Sequence, residues 1–388
     1  MQQIGHSVTE TMDVADDLAH FRRLCRDFVA KEISPYHARW EDDGIVPREL
    51  WLKAGAAGLL GFNLPEDVGG CGVTDYRFNA AFVEELFAVG ASGPGFVLVN
   101  DVFVPYIADL ATGEQLARWA PGLCSGNLIG AIAMTEPGTG SDLQGIRTSA
   151  TPHRDGWKLT GQKTFISNGI HSDLVIVVAR TDPDAGARGF SLLVVERGMQ
   201  GFTRGRNLDK VGVHAADTAE MSFDEVYVPR SNLLGEVGQG FTYLMTNLPQ
   251  ERLCIAIQAV ASIETCLETT LEYVKERTAF GTAIGSFQHN KFVLAEIATE
   301  AKIARMFVDW ALEAHSRGAL NAVEAAMLKW WVTEKQVEIT GRCLQLHGGY
   351  GYMREYPISR HWADARVQTI YGGTSEIMKE IIGRSLGL

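Results

Sequence analysis

Long apolar runs, paired cysteines and an excess of positive charge are all missing from this chain of 388 residues. No stretch supplies the ~20 consecutive apolar residues that a membrane-crossing helix needs, so no membrane span is expected. Acidic residues outnumber basic ones, 47 to 35, and the net charge is −12. That balance argues against a nucleic-acid partner and against an anionic membrane surface, while leaving room for a local basic site for a phosphorylated ligand. Cys25, Cys71, Cys124, Cys254, Cys266 and Cys343 are scattered and form no CxxC pair, so reduced thiols and a cytoplasmic location are expected. Cys343 and His347 sit four apart without further partners, so no metal site is expected. The N-terminal MQQIGHSVTETMDVADD is acidic and has no apolar centre, unlike a secretory signal. Repeats and low-complexity segments are absent as well.

What is present is the composition of an ordinary globular protein, 46% hydrophobic and 21% charged, long enough for two or three domains. Residues 10–125 read as helices: VADDLAHFRRLCRDFVAKEI has helical apolar spacing, and four shorter helical runs follow it. Pro47 opens one of these and Pro105 lies inside another. From 128 to 235 the pattern changes to short β-branched or alternating runs, LIGAIAMTE, WKLTGQKTFISNG, DLVIVVART, GFSLLVVER and AEMSFDEVYVP, separated by turn residues. Such strands suggest a barrel or sandwich. From about 236 long helical periods return, suggesting antiparallel helices. The expected class is α+β: an N-terminal helical domain (1–127), a middle β-barrel-like domain (128–235) and a C-terminal four-helix bundle (236–388).

Four stretches could carry chemistry, and each has a plain alternative. AMTEPGTGSDLQG (133–145) ends a strand in a Gly-rich loop whose amides and hydroxyls can bond a heterocycle edge or a phosphate, or form only a turn. In KTFISNG (163–169), Phe165 and Ser167 lie two apart on one strand face. In ERTAFGTAIGSFQHNKF (276–292), Arg277 sits at a connection between helices and suits a pyrophosphate, or is simply solvated. CLQLHGGYGYMREYPISR and then YGGTSEIM pack Gly pairs beside aromatics, as helix ends or as backbone open to a ligand.

In this order, and on an α–β–α layout, these stretches resemble the acyl-CoA dehydrogenase family along essentially the whole chain. SGPGF, LPQERL, QLHGGYGY and YGGTSEIMKE look most like its long-chain type. The resemblance implies a FAD-dependent enzyme that converts a saturated acyl-CoA to the trans-2-enoyl-CoA, removing an α-proton while the β-hydrogen leaves as hydride to flavin N5. It implies flavin contacts at Met134, Thr135, Gly140, Ser141, Phe165 and Ser167. Arg277, Phe280, Gln288, Gln345, Gly348 and Gly349 meet the adenosine diphosphate part, with Thr374 and Glu376 on the adenosine side. Ser141, Arg252, Tyr371 and Gly372 are implied on the substrate side. Some cofactor contacts cross a subunit interface in this family, so a homotetramer is implied, with electron-transferring flavoprotein as acceptor. Arg147, Lys210 and Arg354 are candidate partners for the CoA phosphates, and residues 96–110 for the far end of the acyl pocket.

One position departs from the usual pattern. YGGT has Gly372 where the family usually places its glutamate base. A subset of the family, including the long-chain and isovaleryl types, places the base within the first bundle helix instead, where this chain has Glu251. The pairing of Gly372 with Glu251 makes Glu251 the expected base. Gly372 keeps a backbone N–H for the thioester carbonyl, an oxyanion-hole role. Glu376 lies a helical turn on and is expected to point away. The alternatives are an acyl-CoA oxidase, a desaturase of a carrier-bound, biosynthetic or sterol side-chain thioester, and a non-catalytic flavin-binding protein.

Overall fold

The structure is a computed structural model that describes residues 5–388. Residues 1–4, which head the expected first domain and the stretch compared with a secretory signal, lie outside the described residues.

Helices come first: α1 (Gly5–Phe28), α2 (His37–Asp43), α3 (Glu49–Ala56), α4 (Tyr76–Phe87), α5 (Val104–Leu110) and α6 (Gly113–Ser125). Local chemistry sets several of their ends. The Asp75 side chain accepts the Arg77 N–H at the start of α4, and Thr112 and Gln115 form a capping box on α6. The helix expected around Pro105 is two pieces. A π-helical segment (Leu98–Phe103) runs into α5, whose first turn holds Pro105, where no intrahelical N–H is needed.

The middle of the chain forms one eight-stranded sheet from β1 (Gly130–Ala133), β2 (Ser149–His153), β3 (Gly156–Ser167), β4 (Leu174–Arg180), β5 (Phe190–Glu196), β6 (Phe202–Asn207), β7 (Thr218–Pro229) and β8 (Leu233–Leu234). The order is β6-β7-β3-β2-β4-β5-β8, with β1 running parallel to β4. β4 and β5 pair antiparallel, Leu174 opposite Glu196 and Val177 opposite Leu193. Both are buried along almost their whole length, which is why they read as unbroken β-branched runs. The β3–β7 register shifts between Lys163 and Ile166, a bulge that breaks the strand pairing at Phe165.

The C-terminal helices are α7 (Gly240–Glu276), α8 (Gln288–Ser316), α9 (Ala322–His347), α10 (Pro357–Gln368) and α11 (Ser375–Ser385), with a small hairpin, β9 (Thr278–Ala279) and β10 (Thr282–Ala283), between α7 and α8. α7, α8 and α9 share an apolar core with α4 through Tyr76, Val83, Leu253, Ile257, Ile297, Val308 and Leu328. α7 contains an 18-residue window of mean hydropathy 1.2, long and apolar enough to cross a membrane by composition alone. That window is 72% buried inside the protein, so its apolar surface is spent on the bundle core.

Candidate active site

Glu251, Ile255 and Gln258 step by four and three along α7 and so share a face. That face meets the turn between α10 and α11. The Tyr371 hydroxyl donates to Gln258 Oε1 at 3.2 Å, and Arg252 Nε donates to the Gly372 carbonyl at 3.4 Å. Gly372 and Gly373 both have positive φ, 65° and 99°, which glycine adopts freely. A Cβ on Gly372 would stand 2.4 Å from Ile255 Cδ1. The space where a side chain would begin at position 372 is therefore filled from α7, four residues beyond Glu251. A buried lysine on α9, Lys329, donates to the Gly373 carbonyl at 2.7 Å. Burial, with help from the Arg252 charge, pushes its ammonium down to about 8.

Glu251 itself is only 7% exposed. Pro249 precedes it in α7 and leaves the Met245 carbonyl without its helical N–H partner. From α5, the fully buried Tyr106 donates its hydroxyl to Glu251 Oε1 at 3.0 Å. Burial pushes the Glu251 carboxyl up to about 7, against the smaller lowering effects of the Tyr106 hydroxyl and the Arg252 charge. A carboxylate so placed can take a proton near neutral pH from a carbon acid brought beside it. Glu376 lies differently: exposed, in the first turn of α11, with its carboxyl held below the usual range by its backbone and by Thr374. Thr374 caps that helix by accepting the Ile377 N–H.

A second group of candidates gathers at the β3 bulge. Phe165 is 68% exposed and has φ of 59°, an uncommon conformation for an aromatic residue. Ser167 is exposed two residues on. The Thr135 carbonyl accepts the Thr164 N–H, which ties the 134–141 loop to this strand. Behind the loop, buried Lys163 donates to the Met134 carbonyl at 2.8 Å and to Glu136 at 3.0 Å. Gly140 and Ser141 lie exposed further along the same loop.

A third group lies at the far end of α7. Arg277, Gln345, Gly348, Gly349 and Tyr350 line a cavity of about 540 Å³. A Cβ on Gly348 or Gly349 would meet nothing within 4 Å, so this backbone stands open to a ligand. The Arg277 guanidinium sits 5.4 Å over the Tyr350 ring. Phe280 and Gln288 are on the connection beyond Arg277 but do not line the cavity, and Phe280 is 98% exposed.

Three family descriptions match the chain in sequence: acyl-CoA dehydrogenase N-terminal domain over residues 15–127, middle domain over 131–226 and C-terminal domain over 238–387. The chain belongs to the acyl-CoA dehydrogenase family. It is 50% identical over 368 residues to the mitochondrial long-chain specific acyl-CoA dehydrogenase of Sus scrofa, covering 94% of this chain and 85% of that protein. An acyl-CoA dehydrogenase of Bacillus subtilis is 38% identical over 375 residues, covering 97% and 99%. The crystal structure of an acyl-CoA dehydrogenase from Geobacillus kaustophilus superposes with a TM-score of 0.94 at 49% identity, covering 96% and 98%.

Within this acyl-CoA dehydrogenase fold, the candidate residues fall into the three groups above. Arg147, Lys210 and Arg354 form no group of their own. Lys210 donates to the Ala216 carbonyl, Arg354 pairs with Asp42 on the surface, and Arg147 is exposed. Tyr106 lies within the 96–110 stretch expected to line the acyl pocket and Lys163 within KTFISNG, but neither they nor Lys329 stood out as site residues in the sequence. The two lysines had little signal, since β3 and α9 hold other charged residues such as Lys158, Glu334 and Lys335. Tyr106 had none, since its partner is 145 residues away.

Proposed function

We propose that this chain catalyses FAD-dependent α,β-dehydrogenation of a medium- to long-chain saturated acyl-CoA, with Glu251 as the base that takes the α-proton. The observation that carries this reading is the placement of Glu251: buried, hydrogen-bonded by Tyr106, with a carboxyl pushed up to about 7, on the α7 face that packs against the Gly372 turn. The same turn offers the Gly372 N–H to the thioester carbonyl, while Arg252 and Lys329 hold the carbonyls of Gly372 and Gly373. Negative charge gathering on the thioester oxygen as the α-proton leaves is stabilised by such a fixed donor. Tyr371 and Ser141 complete the substrate side.

The residues present suit FAD. Phe165 offers a flat exposed wall in a strained conformation, beside the hydroxyls of Thr135, Ser141 and Ser167 and close to Met134 and Gly140. Arg277, Gln345, Gly348 and Gly349 supply a guanidinium and open backbone for the adenosine diphosphate part, and the family resemblance assigns Phe280, Gln288, Thr374 and Glu376 to the same part of the cofactor. When bound, FAD supplies the acceptor for the β-hydrogen and its electron pair.

Electron-transferring flavoprotein is the proposed onward acceptor and a homotetramer the proposed assembly. Phe280 on the α7–α8 connection and Phe292, Ile303, Met306 and Trp310 on α8 stand exposed, which suits a surface covered by another copy. The division into domains at 127/128 and 235/236 belongs to the same reading. So does a cytoplasmic location, on the strength of the six free thiols.

An anaerobic titration with palmitoyl-CoA, following flavin absorbance, tests the reading. The wild type is expected to bleach, and Glu251→Gln to bind without bleaching. Equal bleaching of both overturns Glu251 as the base. Bleaching of neither moves the substrate to shorter, branched or carrier-bound acyl groups.

A further inference from the structure

The geometry points to Tyr106 as a positioning residue that holds Glu251 Oε1 and leaves Oε2 to face the substrate. This inference rests on the reading of Glu251 as the base.

A buried carboxylate cannot be steered by water. Its aim is set by the donors that reach it. Among the described residues, Tyr106 gives the Glu251 carboxylate its one side-chain hydrogen bond, at 3.0 Å. Arg252, the adjacent cation, does not compete, because its guanidinium is turned to the Gly372 carbonyl. Tyr106 is a fixed donor. It is fully buried on α5, and burial together with the neighbouring Glu251 charge pushes its phenol well above the usual range, so it keeps its proton. With Oε1 occupied, Oε2 is the oxygen left to bond the α-proton, while the C–H electron pair stays on the α-carbon. Tyr106 moves no proton itself.

The bond also sets a balance. Burial favours the neutral carboxyl and the Tyr106 hydroxyl favours the charged one. The groups facing Glu251 are Tyr106 from α5 and Arg252 and Cys254 from its own helix. Behind Cys254 stand Tyr76 of α4 and Asp101 of the π-helical segment. Asp101 accepts the Tyr76 hydroxyl at 2.9 Å and is itself pushed up to about 7 by burial, so it titrates in the same range; farther off, on α10, burial pushes the Asp364 carboxyl up to about 6.

The test is Tyr106→Phe in the FAD-loaded enzyme, with Glu251→Gln and Asp101→Asn as references. The acid limb of kcat/KM is expected to move up by about one pH unit, since a hydrogen bond to a charged group is lost. The value of kcat above that limb is expected to fall roughly tenfold through loss of aim, with KM little changed. Infrared difference spectra across the same pH range give a readout independent of turnover. The carboxyl band absent from Glu251→Gln, and retained in Asp101→Asn, is expected to titrate about one unit higher in Tyr106→Phe. Site-specific 3-fluorotyrosine at position 106 has a more acidic phenol, donates more strongly and should move both readouts downward. It carries the test alone if Tyr106→Phe does not fold. If limb and band stay put in these proteins while Glu251→Gln is inactive, Tyr106 is only structural and the inference fails. If Glu251→Gln still turns over, the base lies elsewhere and the reading beneath the inference fails with it.

Discussion

Burying a carboxylate has consequences for both rate and stability, and at Glu251 the two run in opposite directions. The residue works as a base only when charged, so kcat/KM should rise as pH increases through about 7. Folding prefers the neutral form. The folded carboxyl titrates near 7 and an ordinary one at 4.5, so the stability it contributes is fully present below about 4.5 and lost as pH rises through 7. Glu251→Gln keeps the shape and removes the charge. Its melting temperature should exceed that of the wild type at pH 8, and the gap should close toward pH 5, which scanning fluorimetry at several pH values can follow. A gap independent of pH would mean that the folded carboxyl titrates in the ordinary range, as it does in the unfolded chain. Gly372 makes a complementary case. Its φ of 65° and the nearness of Ile255 Cδ1 mean that even a methyl group is unwelcome. Gly372→Ala should lose about 1–2 kcal/mol in chemical denaturation. The vacancy in YGGT and the glutamate in LPQERL were both legible in sequence, because each stands inside a recognisable stretch. Tyr106 was not, since a contact spanning 145 residues leaves no local trace.

Elements were legible where their period was long or their burial complete. α7, α8 and α9 announce themselves by apolar spacing, and β4 and β5 by unbroken apolar runs. β2 and β6 did not stand out. SATPH carries a proline, and FTRGRN is mostly polar with no fully buried position, so neither shows a core-facing alternation. The bulge in β3 was invisible for a different reason: register shifts depend on the partner strand. It is nevertheless where the strand meets the candidate flavin face. Phe165 is mostly exposed and held at positive φ, so it contributes little to the core and carries strain. Phe165→Gly should leave the cofactor-free protein no less stable, with a gain of up to about 1 kcal/mol in denaturation. The same change should weaken FAD binding by roughly tenfold or more, since stacked aromatic contact is lost. A clear loss of stability, or unchanged FAD affinity, would show that Phe165 packs into the fold rather than serving the cofactor.

On the scale of the whole molecule, an acidic chain with a net charge of −12 builds a guanidinium-lined glycine cavity at a surface rather than in the interior. Phe280, on the connection beyond Arg277, is 98% exposed and at positive φ, with its ring edge-on to Phe287 at 6.2 Å. The exposed face of α8 continues the apolar surface through Phe292, Ile303, Met306 and Trp310. A large apolar surface next to a half-built ligand site argues that assembly and cofactor binding are one equilibrium. In the proposed assembly each copy would bury the other's apolar face and complete its site, and ligand binding would stabilise the assembled form by mass action. Met306→Asp on α8 lies outside all three groups of site residues and should still lower FAD affinity, because it weakens the assembly. Sedimentation velocity should show a smaller species, and FAD titration by fluorescence should show weaker binding that recovers as protein concentration rises. Phe280→Ser should weaken FAD binding at every protein concentration, because it removes a contact as well as apolar area. If Met306→Asp dissociates the protein and FAD binds as tightly as before, the cavity is complete within one chain and the two equilibria are separate.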